Sequence, residues 1–180
     1  MTSRARVTLR DRLAGGTTRD LGPTNEVARE ALRKHALIEK LIDALDDERI
    51  VVPHRAANAL KKIQRSNPSL VAPFAKRLLQ HALNTEHLHT RWNLTIIVGE
   101  LPLRGRDKAL AVDLMFEALS SRSALQRVFA LQALANYAQN DAALHKRVGP
   151  ILQQALADSS AAIRSRARKL LMGKLKIVSG

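Results

Sequence analysis

Apolar residues recur along this chain with a period of 36 to 37 residues, and this repeat constrains the fold more than any other feature. A pair of large apolar residues with another apolar residue three positions on appears four times, at steps of 37, 36 and 37 residues: Leu41-Ile42-x-x-Leu45, Leu78-Leu79-x-x-Ala82, Leu114-Met115-x-x-Ala118 and Ile151-Leu152-x-x-Ala155. A separate stripe at positions 0, +3, +4 and +7 returns at steps of 38, 36 and 37 residues, starting at Ala56, Leu94, Ala130 and Ala167. Two patterns that share one period indicate a repeated helical hairpin.

Turn and cap signals separate the helical stretches, for example Ser66-Asn67-Pro68 and Asp158-Ser159-Ser160. Eight helices are predicted, near residues 24–46, 53–65, 69–84, 88–102, 107–120, 123–139, 141–157 and 160–174. No stretch predicts a strand. Because one hairpin cannot bury both of its apolar faces, neighbouring hairpins are expected to stack on one another. We therefore predict an all-α fold, an α-solenoid of about four antiparallel helical hairpins.

The predicted domain organisation is a single solenoid domain over residues 24–176, with a short tail at 177–180. Residues 1–23 contain Gly15-Gly16 and Gly22-Pro23 and lack sustained helical periodicity. We expect this segment to be a flexible basic arm. Lys174 occupies a position that is apolar in the other three repeats. A charged residue there is typical of a terminal capping repeat, whose outer face is exposed to solvent.

A short motif within the repeats resembles that of HEAT-repeat proteins, with armadillo-like arrays a close second. An Arg with a small or apolar residue three positions on occurs as Ile163-Arg164-x-x-Ala167, Gln126-Arg127-x-x-Ala130 and Thr90-Arg91-x-x-Leu94. The family often has Asp six residues before that Arg, and Asp158 matches. The resemblance covers about residues 37–174 and implies a binding scaffold. It also implies that Arg91, Arg127 and Arg164 form a structural ladder, each bonded to a neighbouring Asp or loop carbonyl. The alternative is a column that binds phosphate.

The charge balance points to an acidic partner. Thirty Lys and Arg against 16 Asp and Glu give a net charge of +14, to which residues 1–20 contribute +3 and residues 160–180 contribute +6. The chain has no cysteine, which excludes disulfides, thiolate metal sites and a cysteine nucleophile. It also lacks a phosphate-binding loop, a nucleophile elbow and a His-Glu-x-x-His helix, so we expect no enzyme and no cofactor or metal. No apolar run is long enough to span a membrane, and we expect a cytoplasmic location.

The concave face of a solenoid is its usual binding surface, and second-helix residues opposite the core stripe form it. In this chain those positions are basic at both ends of the array and polar in the middle. The predicted partner-binding residues are Lys61, Lys62, Arg65, Gln132, Asn136, Lys169 and Lys176, with Trp92 as an aromatic anchor. The alternatives are a solvated charged face for the basic residues and a packing role between hairpins for Trp92.

The sequence favours a non-enzymatic scaffold that docks an acidic protein surface, and two other functions stay open. One is non-specific nucleic-acid binding through Arg4, Arg6, Arg10 and Arg12 of the arm, together with the basic C-terminal cap. The other is DNA alkylation repair, because alkylpurine DNA glycosylases resemble this chain in architecture. Those enzymes use groove aromatics and a catalytic Asp, whereas this groove offers only Trp92 and no Asp.

Overall fold

The computed structural model describes residues 7–17 and 19–173. These residues are arranged in helices and contain no strand, which confirms the predicted all-α class. The described α-helices are α1 (Leu9–Ala14), α2 (Thr24–Arg33), α3 (Ala36–Asp43), α4 (Val51–Ser66), α5 (Ala75–Asn84), α6 (Leu88–Val98), α7 (Gly105–Ala118), α8 (Ala124–Ala138), α9 (Ala142–Ala155) and α10 (Ala161–Gly173). The chain divides into two compact units, Met1–Leu101 and Pro102–Gly180. The single domain over residues 24–176 stays a prediction.

Helix α4 is the central helix of the first unit, and α1, α2, α3 and α6 all pack against it. Its predicted core stripe is fully buried: Ala56, Ala59, Leu60 and Ile63. Helix α5 packs on α6, where Leu94 and Ile97 are also fully buried. The predicted apolar stripes are therefore confirmed as core in this unit, and α4 is held in place along most of its length.

The second unit is built around α8, which packs against α7, α9 and α10. The predicted stripe positions Ala130, Leu134 and Ala167 are buried, which confirms them as core. The side chain of Ser123 caps the start of α8, and the side chain of Asp141 caps α9 by accepting a 2.9 Å hydrogen bond from the backbone N–H of Leu144. Such caps satisfy amide groups that a helix start leaves unbonded.

Three predicted helices have clearly different boundaries in the structure, and one of them, predicted at 88–102, ends at Val98. The predicted helix at 24–46 is divided into α2 and α3, because Lys34 leaves helical geometry with φ −124° and ψ 81°. The predicted helix at 69–84 becomes α-helical only at Ala75. Two 3₁₀ turns precede it, and each carries a proline, Pro68 or Pro73, near its start. Proline has no N–H to donate, so it suits the first turn of a helix and not its interior.

The N-terminal segment differs from the predicted flexible arm. Helix α1 forms within it and begins with a capping box, in which Thr8 and Asp11 bond each other's backbone amides. The helix packs on α4, and its Leu13 is fully buried. A six-residue helix is too short to show a sustained apolar period, and it owes its stability to tertiary contacts. The prediction is thus corrected for residues 7–17 and 19–23, whereas residues 1–6 lie outside the described part of the chain.

Candidate functional site

A row of polar residues runs along the side of α4 that is opposite its core stripe. His54, Lys61 and Arg65 lie at spacings of seven and four residues, so they share one face of the helix. Helix α6 packs beside this row and contributes polar residues of its own, chiefly His89 and Asn93. Polar residues of the two helices therefore meet along one side of their interface, called the seam below.

Specific contacts join the two helices across this seam. The imidazole rings of His54 and His89 lie edge to face, with ring centroids 5.7 Å apart. Further along, the Nζ atom of Lys61 donates a 2.5 Å hydrogen bond to Oδ1 of Asn93 and lies 5.9 Å from the centroid of the Trp92 ring. Because both contacts advance in the same direction along both helices, α4 and α6 run parallel.

The ammonium group of Lys61 sits in a strongly unfavourable environment for a cation. Burial, together with the nearby charges of Arg65 and Lys62, lowers the pKa of Lys61 from 10.5 to about 8. Among the described residues, no carboxylate forms an ion pair with any of these three basic side chains. The Glu100 carboxylate attracts Arg65 without forming an ion pair, and it offsets part of the positive charge. The cluster still carries a net positive charge, and an anionic ligand relieves the remaining repulsion.

The surface formed by Lys61, Lys62, Arg65, His89 and Trp92 is called the α4–α6 face below. Arg65 and His89 are exposed, while Lys61, Lys62 and Trp92 are half-buried. Four of the predicted partner-binding residues are thus brought together in one place. His89 and Asn93 were not predicted as site residues; the signal that could have found them is their polar spacing on α6 opposite His54 and Lys61.

The remaining predicted partner-binding residues belong to the second unit or lie beyond the described chain. Oδ1 of Asn136 accepts a 2.8 Å hydrogen bond from Nε2 of Gln132. Oε1 of Gln132 in turn accepts a 2.6 Å hydrogen bond from Nη1 of Arg166. Lys169 is exposed on α10. Lys176 lies outside the described residues. The polar pair on α8 is therefore already engaged within its own unit.

Two arginines of the predicted structural ladder, Arg127 and Arg164, contact the turn before α10. Nη1 of Arg127 donates a 3.0 Å hydrogen bond to the carboxylate of Asp158, and Nη1 of Arg164 donates to the backbone oxygens of Asp158 and Ser159 at 2.7 and 2.8 Å. Both guanidinium groups hold the same turn in place. Arg91 lies half-buried on α6.

Arg55 is a buried residue whose role the sequence did not indicate. Its guanidinium is almost fully excluded from solvent, with 1% of the side chain exposed. It donates hydrogen bonds to the backbone oxygens of Leu13, Gly15 and Thr17 and to the carboxylate of Asp20. One side chain on α4 thereby anchors the segment that follows α1. An Arg within the largely apolar start of α4 was the only sequence signal.

Comparisons with family models, curated proteins and solved structures found no match to this chain. The resemblance to HEAT repeats therefore rests on its sequence motifs alone. None of the described helices has the length and apolarity that crossing a bilayer requires. Within residues 7–17 and 19–173, no three His, Asp or Glu side chains come together as a metal site.

Proposed function

We propose that this protein is a non-enzymatic helical-repeat scaffold that docks an acidic protein partner on the α4–α6 face. The observation that carries the proposal is the cluster of Lys61, Lys62 and Arg65 beside Trp92, in which no cation forms an ion pair and only Glu100 near Arg65 offsets part of the charge. Desolvated cations next to an aromatic ring are typical of the energetic centre of a protein interface. The cost of burying Lys61 is offset once a carboxylate joins it.

The packing within each unit supports a HEAT-like arrangement of stacked hairpins. In the first unit α4 and α6 run parallel with α5 packed on α6, as expected for second helices of successive hairpins. In the second unit Gln132 of α8 meets Arg166 of α10, 34 residues later, which is close to the sequence period. These contacts favour a scaffold of stacked repeats, a class of protein that binds partners on the surface formed by successive helices.

Nucleic-acid binding through the N-terminal arm has less support. Arg10 donates to the backbone oxygen of Asp43 and lies near Asp47, while Arg12 forms ion pairs with Glu26 and Glu30. Arg4 and Arg6 lie outside the described residues. Cations already paired within the fold release fewer counterions from a phosphate backbone, so the arm contributes little to such binding.

The proposal is tested with fluorescently labelled poly-L-glutamate and a labelled DNA duplex, using anisotropy at about 50 mM salt. A triple variant carries Lys61→Gln, Lys62→Gln and Arg65→Gln. We expect it to bind polyglutamate about 100-fold more weakly than wild type, because three favourable charge contacts are lost together.

The matched control for this experiment removes the same net charge elsewhere on the surface. It carries Arg33→Gln, Lys40→Gln and Lys76→Gln, three exposed positions on α2, α3 and α5 of the first unit that do not belong to the α4–α6 face. We expect this control to weaken binding less than about fivefold, through long-range attraction alone. Equal losses in the two triple variants would mean that binding follows net charge and not this face. Tighter, salt-dependent binding of the duplex would make nucleic acid the partner.

Binding of an acidic partner is expected to be linked to protonation of Lys61. Its pKa of about 8 in the free protein rises when a carboxylate lies beside it, so binding takes up a proton. Affinity is therefore highest well below pH 8 and falls by about tenfold between pH 7.5 and pH 9.5. The other titratable groups near Lys61 are Lys62, Arg65, His54 and His89, with Glu100 beside Arg65. Burial lowers the pKa of His54, so its titration lies below this window.

The control for this pH dependence is Lys61→Arg, because arginine stays protonated throughout the range. Polyglutamate affinity is measured at constant salt from pH 6.5 to 9.5 for both proteins. We expect the wild-type affinity to fall with pH and that of the arginine variant to stay nearly level. An identical fall in both proteins would assign the titration to another group.

A further inference from the structure

Two exposed apolar side chains lie at one end of the α4–α6 face. Ile50 is 52% exposed and Leu88 is 67% exposed. Ile50 lies one helical turn before His54, and Leu88 lies one turn before Trp92. Because α4 and α6 run parallel, both apolar residues belong to the same end of the face, away from Arg65. The face thus has an apolar end and a basic end.

The distance between the apolar end and the basic end determines how far apart the apolar and acidic groups of a ligand must be to contact both ends. With a helical rise of 1.5 Å per residue, Ile50 lies about 16 Å before Lys61, and Lys61 lies about 6 Å before Arg65. An extended chain advances about 3.3 Å per residue. Taken at Ile50, the outermost residue of the apolar end, the spacing matches a ligand residue about five positions from the first basic group and about seven from the second.

We infer that the α4–α6 face binds a short extended peptide with one apolar residue and two carboxylates, about five and seven positions from it. This inference rests on the proposed function, since the same basic residues receive the carboxylates. The apolar residue packs on Leu88 and Ile50, and the two carboxylates pair with Lys61 and Arg65. The partner is thereby narrowed from an acidic surface to a linear segment of stated pattern.

The apolar end of the face favours a peptide over a nucleic acid. The exposed side chains of Ile50 and Leu88 offer a contact to an apolar side chain, and removing such a side chain from water stabilises the complex. A phosphodiester backbone is charged along its whole length and gains nothing from the apolar pair.

The test uses four capped eight-residue peptides and the full protein. One peptide reads Leu-Ser-Gly-Ser-Ser-Glu-Ser-Glu, a second has the reversed order, and two more replace Leu by Ser in each. Binding is followed by the fluorescence of Trp92, the chain's only tryptophan, and by displacement of labelled polyglutamate. In one of the two chain directions, the peptide with Leu is expected to bind about tenfold more tightly than its Ser counterpart, because the leucine side chain is removed from water.

Variants at the apolar end test whether the leucine of the peptide binds there. The quantity compared is the affinity gain, which is the tighter binding of the Leu peptide relative to its Ser counterpart. Leu88→Ser and Ile50→Ser are each expected to reduce it to less than about threefold. The matched control Leu125→Ser changes a side chain that is 49% exposed on α8 of the second unit, and it should leave the gain intact. Circular dichroism confirms that each variant folds.

Three results would overturn the inference. Equal binding of the Leu and Ser peptides in both chain directions would show that the face makes no apolar contact with the peptide. An undiminished preference for the Leu peptide in Leu88→Ser would show that the leucine binds elsewhere. Stronger displacement of polyglutamate by a single-stranded oligonucleotide than by the Leu peptide would change the ligand class. In each case, the proposed function is still supported if polyglutamate binding is weakened in the triple variant that contains Lys61→Gln. If neither polyglutamate nor the peptides bind, the proposed function fails and the inference fails with it.

Discussion

Replacing Arg55 with methionine is expected to lower the free energy of unfolding of the first unit by about 3–5 kcal/mol. Methionine fills a similar volume but cannot donate a hydrogen bond. The backbone oxygens of Leu13, Gly15 and Thr17 then lose a buried donor, which costs more than the bonds themselves stabilise. Asp20 is half-exposed and regains water, so it adds little to the loss.

The fluorescence of Trp92 measures this effect directly, because the chain's only tryptophan lies in the first unit. Urea unfolding of Arg55→Met is compared with that of Arg77→Met. Arg77 also forms ion pairs, with Asp43 and Glu39, but 43% of its side chain is exposed and its partners are exposed to 49% and 66%. We expect the Arg77 variant to lose less than about 1 kcal/mol. Similar losses in both variants would show that ion pairing, rather than burial of the guanidinium, sets the effect.

Limited proteolysis provides a second measurement on the Arg55 variant. If Arg55 anchors the segment after α1, its loss should expose residues 15–20 to cleavage before the rest of the first unit unfolds. Arg55→Lys keeps the positive charge but lacks the planar guanidinium, which reaches several oxygens at once. The rate of cleavage in this variant should lie between the rates in the wild type and in the methionine variant. Unchanged cleavage in both variants would remove Arg55 from this role.

Replacing Gly22 with alanine is expected to cost about 2–4 kcal/mol for two separate reasons. The residue has φ +43°, a left-handed conformation in which a side chain is strained. An added Cβ would also lie 2.7 Å from Cζ of Arg55 and 2.9 Å from its Nη1. Because the guanidinium is held by four partners, it cannot move aside without breaking hydrogen bonds.

The two causes are separated by a control glycine and a double mutant. Gly105 also has a positive φ, +53°, but an added Cβ there meets nothing within 4 Å. Gly105→Ala should therefore cost only the conformational strain, about 1–2 kcal/mol. In the Arg55→Met background, Gly22→Ala should cost less than in the wild type, because the flexible methionine can shift. Additive losses in the double mutant would show that the contact with Arg55 is not the source of the cost.

The helices and their core stripes could be predicted because their signals are local. Ala56, Leu60 and Ile63 belong to one continuous period, and the period fixes which side of the helix is buried. The predicted binding residues on α4 follow from the same geometry, since Lys61, Lys62 and Arg65 lie opposite that stripe. Trp92 was predicted as an anchor from its position next to the second repeat's stripe.

Other features depend on residues far apart in the sequence and have no local signal. Burial is the main cause of the lowered pKa of Lys61, ahead of the charges of Arg65 and Lys62 on its own helix. That burial depends on α6, where Trp92 and Asn93, more than 30 residues later, contact Lys61. The break at Lys34 was missed because the apolar period continues on both sides of it. The packed N-terminal segment was missed because α1 is too short to show a period.

By itself, the sequence determined an all-α chain, the approximate positions of most helices and the apolar stripes that form the core, since these follow from short-range periodicity. The tertiary structure decided which polar residues meet. It brought Arg55 to the backbone oxygens around Gly15, about 40 residues earlier, and Lys61 to Trp92 and Asn93. The physical reason is that hydrogen bonds and desolvation act between groups in contact, and only packing determines which distant groups come into contact.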